Sequence, residues 1–130
     1  MSERDDSGIA AIDRVHAGLV RLARALHKAF SEGRSAEEIE PVLREFENLA
    51  NQDFLHEESA MRETGFPGYA SHKAEHEALS QDIALLKEQL KNEGPTSTLA
   101  VHTQRRIREW LVGHLEVADA ELSHYLRKRM

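Results

Sequence analysis

Seven residues of metal-ligand type interrupt the apolar stripes of this sequence: His16, then Asp53 and Glu57, then His72 and His76, then His114 and Asp119. Burying an unpaired imidazole or carboxylate costs several kcal/mol. A shared metal site satisfies all seven at once. Residues four apart are neighbours on one helix face. His72 with His76 therefore offers two nitrogens to one ion, and Asp53 with Glu57 offers two carboxylates. His114 and Asp119 are five apart, about 140° round an ideal helix of ~3.6 residues per turn. That pair needs a locally widened turn, of a kind common at functional sites, or the flanking reach of the carboxylate. Such donors suit iron, and they also suit manganese and zinc.

Helices must position these residues. Apolar steps of three and four predict a first helix over 9–31, through Ile9, Ile12, His16, Leu19, Ala23, Leu26 and Phe30, with Gly33 as its C′ residue. Ser35 with Glu38 forms a capping-box pattern opening a second helix over 36–63. Pro41 leaves that start open between Ala36 and Glu40, because proline is comfortable only in a first turn. The run Thr64-Gly65-Phe66-Pro67-Gly68 is a loop. A third helix over 68–91 follows, and Asn92-Glu93-Gly94-Pro95 breaks it. Thr96 or Ser97 caps a fourth helix over 96–127. No strand pattern competes. Short connections between long amphipathic helices predict an all-α, up-down-up-down antiparallel four-helix bundle, one domain spanning 1–130. In that topology the start of the first helix, the end of the second, the start of the third and the end of the fourth share one end. All seven donors then meet in one layer.

Composition narrows the function classes. The chain has 130 residues, no cysteine and a formal net charge of −6. Disulfides, iron–sulfur clusters and Cys-based zinc sites are excluded. No basic stripe is long enough to follow a phosphate backbone, so a nucleic-acid partner is not expected. The basic run Arg127-Lys128-Arg129 ends a helix, where cations favour the dipole. No apolar stretch approaches the ~20 residues needed to cross a bilayer, so no membrane role is expected. The stretch Met1–Asp6 is polar and has no signal-peptide h-region. The expected location is the cytoplasm.

Four motifs resemble the hemerythrin family, specifically single-domain bacterial hemerythrins. They are Ile12-Asp13-Arg14-Val15-His16; Glu57-Glu58 with Met61, Phe66-Pro67, His72 and His76; Trp110-Leu111-Val112-Gly113-His114-Leu115; and Asp119. The resemblance covers nearly the whole chain. It implies two iron ions, oxo- or hydroxo-bridged, with O2 or small anions such as azide as ligands. The residues matching His72, His76 and His114 hold one iron, and His16 with a second histidine holds the other. Glu57 and Asp119 match the bridging carboxylates. Phe54, Trp110, Leu111 and Leu115 match the apolar lining of the oxygen pocket. Carrier, store or sensor is the function this implies.

The sequence departs from the family pattern at Asp53, which stands where the second histidine of the oxygen-binding iron belongs. Three readings follow. Asp53 ligates iron as a hard anionic donor and shifts the activity toward an oxidase or peroxidase acting on O2 or H2O2. Alternatively the second metal position is weak or empty, with Asp53 paired to His16, giving a mononuclear protein. Or His56, about 100° away on the helix, takes the missing position. A metal-free helical bundle is the remaining alternative. His27 lies about three turns from His16, too far to share its ion, while His102 and His124 fall near the helix ends.

Overall fold

Local capping chemistry sets where the helices begin and end. The structure, a computed structural model, describes residues 9–114 and 118–129, with side-chain surroundings for 16–114 and 118–128. Helix α1 spans Ile9–Ser31, α2 Ala36–Thr64, α3 Tyr69–Glu93, α4 Ser97–Gly113 and α5 Asp119–Arg129. No strand occurs among the described residues. The Ser35 hydroxyl accepts from the Glu38 amide while the Glu38 carboxylate accepts from the Ser35 amide. That reciprocal pair starts α2 at Ala36, and Pro41 lies inside the helix. Thr96, not Ser97, caps α4, its hydroxyl accepting from the Leu99 amide at 3.0 Å.

The two glycines that end α1 and α2 adopt left-handed backbone, with φ of 69° at Gly33 and 67° at Gly65. Each closes the same pair of bonds. Gly33 N–H reaches Phe30 O and Arg34 N–H reaches Ala29 O; Gly65 N–H reaches Arg62 O and Phe66 N–H reaches Met61 O. A Cβ at such a φ is strained, which is why glycine sits there.

Helices α1, α2, α3 and α4 contact one another in a ring, and α5 packs on α2. Their inward stripes form two apolar clusters. The larger holds Leu19 and Leu26, then Phe46 and Phe54, then Leu79 and Ile83, then Ile107, among others. The smaller holds Met61, Leu122 and Leu126, with Phe66, Tyr69 and Tyr125 against it. Along α2 the buried order runs Phe46, Ala50, Asp53, Phe54, Glu57, Met61. The buried acids therefore fall between the two clusters.

The expected fourth helix is not one continuous α-helix. The α-helical backbone runs over α4 and again over α5, and between them His114 and Ala118 are π-helical, with residues 115–117 outside the described residues. A π turn pairs residues five apart rather than four. That spacing is the one separating His114 from Asp119, and both side chains face inward. Their burial explains the division: a continuous α-helix would turn one of them away.

Phe46 is fully buried and Leu55 is 67% exposed on the same helix. Phe46→Ala is expected to cost about 3–5 kcal/mol in chemical denaturation, and Leu55→Ala less than about 0.5 kcal/mol. Equal costs would contradict this placement of the core.

Candidate metal centre

Each of the four long helices and α5 sends donors into one layer. α1 supplies His16, α2 supplies Asp53 and Glu57, α3 supplies His72 and His76, the end of α4 supplies His114, and α5 opens with Asp119. His16 is partly buried; the other six are 0–3% exposed. The donor atoms form two groups: Glu57, His72, His76 and His114 in one; His16, Asp53, Glu57 and Asp119 in the other.

Glu57 belongs to both. Its Oε1 lies 2.7 Å from His72 Nε2, 2.9 Å from His76 Nε2 and 3.4 Å from His114 Nε2. Its Oε2 lies 3.2 Å from His16 Nε2. Asp119 repeats the division, with Oδ1 2.9 Å from His72 Nε2 and 3.0 Å from His114 Nε2, and Oδ2 2.8 Å from His16 Nε2. Each of these carboxylates thus presents one oxygen to a three-histidine side and the other to the His16 side. Asp53 Oδ2 lies on the His16 side, 3.3 Å from its Nε2.

A second layer of acids orients the rings. His76 Nδ1 donates to Glu58 at 2.9 Å, and His114 Nδ1 donates to Glu75 at 3.0 Å. A proton on Nδ1 leaves the Nε2 lone pair free for a cation. The two Nε2 atoms stand 3.2 Å apart. Two lone pairs that close repel unless a proton or a cation lies between them. Phe54 stacks on the His76 ring at 4.0 Å between centroids, and Trp110 stacks on His114 at 4.4 Å. The Trp110 indole donates to the Glu75 carbonyl at 3.4 Å.

The electrostatics follow from burial set against mutual pairing of imidazoles and carboxylates. Burial alone would lower the His16 imidazole, but Asp119, Asp53 and Glu57 outweigh it and push it up to about 12. Against the same burial effect, Asp119 and Glu57 raise His72 to about 9 and His114 to about 10. Burial, reinforced by Glu57, raises Asp53 to about 8. Burial also opposes ionisation of Glu57 and Asp119, yet the surrounding imidazoles hold both below the usual carboxylate range. Even so, all four oxygens of Asp53 and Asp119 are buried without a hydrogen bond. The two Oδ2 atoms lie close to His16, and Asp119 Oδ1 close to His72 and His114, but off the alignment such a bond requires. Buried carboxylate oxygens normally find partners; a cation among them supplies one. The residues present therefore fit a pair of metal ions.

Glu75 takes a position that no sequence signal marks as functional, and Glu58 stands in a quoted motif but with no role assigned to it. His56, the alternative to Asp53, is exposed and belongs to neither donor group. Outward-facing on α2, it would have to displace a core residue to reach the layer. His27, His102 and His124 are also exposed. Leu111 is half-buried against the larger apolar cluster. Leu115 lies outside the described residues.

Comparison with known proteins gives a consistent picture. Residues 7–126 match the family model described as "Hemerythrin HHE cation binding domain". The chain is 28% identical over 116 residues to a "Bacteriohemerythrin" of Methylococcus capsulatus, covering 87% of this chain and 84% of that one. A solved structure titled "Crystal structure of hemerythrin:wild-type" superposes with a TM-score of 0.71 at 28% identity, over 81% of this chain and 78% of that one.

In the metal-free protein the raised histidines stabilise the fold fully below 6.5, and that stability is lost as pH rises through about 9–12. The raised Asp53 carboxyl acts in the same direction, its contribution lost as pH climbs from 3.8 through about 8. Thermal melts of metal-free protein should therefore show Tm falling from pH 7 to pH 10. Metal-loaded protein, whose donors carry no such protons, should change far less. A metal-free Tm that climbs over that window would contradict the assignment.

Proposed function

Because the chain belongs to the hemerythrin HHE cation-binding domain family, whose members are non-haem iron proteins that bind oxygen, we propose that it holds two irons bridged by Glu57 and Asp119. His72, His76 and His114 complete one position; His16 and Asp53 complete the other. The observation that carries this reading is the division of each bridging carboxylate, one oxygen to each side. Such a layer fits helices that run up-down-up-down. Early donors of α1 and α3 meet late donors of α2 and α4, which supports the antiparallel order within a single domain. No helix of the described residues is long and apolar enough to cross a membrane. We place the protein in the cytoplasm, with O2 or a small anion such as azide as its ligand.

When bound, the iron pair supplies the redox-active position at which oxygen is taken up. The chain's own residues set the conditions for it. Glu58 and Glu75 hold Nδ1 of His76 and His114 and so aim the Nε2 atoms of both rings at the metal position. Phe54 and Trp110 cover those rings and exclude water from the three-histidine side. Asp53, Glu57 and Asp119 offset three of the four positive charges of a divalent pair, which makes burial of that charge tolerable.

Asp53 favours a second reading of the same site. A carboxylate in place of a neutral imidazole adds one negative charge beside the His16 position and favours the oxidised metal. Oxidase or peroxidase chemistry on O2 or H2O2 is the activity that this charge supports. Carriage and turnover separate by whether added O2 is recovered or consumed.

Iron-replete protein should contain two irons per chain by elemental analysis, and Asp53→Ala about one. An unchanged metal content in the variant would remove Asp53 from the ligand set. Asp53→His should slow autoxidation about tenfold, since ~1.4 kcal/mol on the barrier suffices for that. An unaltered rate would sink the charge argument.

A further inference from the structure

A cavity lies between α1 and α4, with a volume of about 380 Å³ and no donor of the metal-ligand layer in its lining. Its walls are apolar, formed by Leu26, Phe30 and Ile107 among others. Arg24, Arg108 and His27 also line it, all three exposed. No lining residue is acidic, although acids outnumber lysines and arginines in the chain, 23 to 17. Some exposed arginines pair with carboxylates, as Arg34 does with Glu32 and Glu38 and Arg106 with Asp82, while others, such as Arg21 and Arg105, form no ion pair among the described residues. Arg24 and Arg108 form no ion pair among the described residues.

A third feature points the same way. Thr103, 2% exposed, lines the cavity, and its hydroxyl has no hydrogen-bond partner. A helical threonine ordinarily bonds a carbonyl one turn back. Here a buried donor faces an apolar space bounded by unpaired cations. Pockets of this size with apolar walls and a few convergent polar groups bind small molecules.

We propose that this cavity is a binding site for a small carboxylic acid with an apolar body. The apolar part fills the space between Leu26 and Ile107. The carboxylate pairs with Arg24 and Arg108, one from each wall, because guanidinium matches carboxylate geometry. None of the seven donors lines the cavity, which shares only Leu111 with the residues matched to the oxygen pocket.

The test uses iron-loaded full-length protein and sodium octanoate, followed by calorimetry. Saturable binding with a dissociation constant on the order of 0.1 mM is expected, with octanol about tenfold weaker for want of the charge. The double variant Arg24→Ala/Arg108→Ala, both at exposed positions, should weaken octanoate about tenfold and leave octanol unchanged. Filling the space with Ala100→Phe should abolish binding of both. The proposal fails if octanoate does not saturate, if octanol binds equally well, or if the double variant binds octanoate as before. It also fails if the protein instead co-sediments with phosphatidylglycerol vesicles and ignores free octanoate, since the face would then recognise a membrane surface.

Discussion

One fully buried carboxylate organises this protein. Glu57 sits at the centre of four imidazoles drawn from α1, α3 and the end of α4. A lone anion in that position would be prohibitively costly to desolvate. Surrounded by cationic rings or by metal, it becomes the charge that the other helices close around. The two apolar clusters on either side of this layer supply the bulk of the burial. The layer between them ties together the parts of the helices that carry the donors.

The second acid layer makes the arrangement directional. A histidine ring can present either nitrogen to a metal. Glu58 and Glu75 remove that freedom for His76 and His114, and stacked Phe54 and Trp110 fix the planes of those rings. These four residues bind nothing themselves in this arrangement. They convert a cluster of flexible donors into one with preset lone pairs, which lowers the entropy lost on metal uptake.

Much of this was legible in the residues alone. The Ser35–Glu38 pair marks the start of α2, and glycines mark the ends of α1 and α2, because capping is local chemistry. The four-residue spacings Asp53–Glu57 and His72–His76 report a shared face directly. The five-residue spacing of His114 and Asp119 signals a widened turn, yet the division into α4 and α5 emerges only once both side chains are seen to be buried. The roles of Glu58 and Glu75 were not legible, although Glu58 stands in the Glu57-Glu58 motif. A glutamate next to a ligand reads like any solvated helix residue, and its partner is decided by a neighbouring helix. Thr103 hides for a similar reason: on an apolar stripe it reads as an ordinary core threonine, and its missing partner is a fact of packing.

The division of the last helix has a dynamic side. Asp119 is the first residue of α5, an eleven-residue segment whose main support is the end of α2 and the small cluster around Met61. The Tyr125 hydroxyl ties it to the Thr64 carbonyl at 2.6 Å. Asp119 therefore reaches the donor layer only as long as this segment stays packed on α2, and local loosening of that packing would withdraw both its oxygens from His16, His72 and His114 at once.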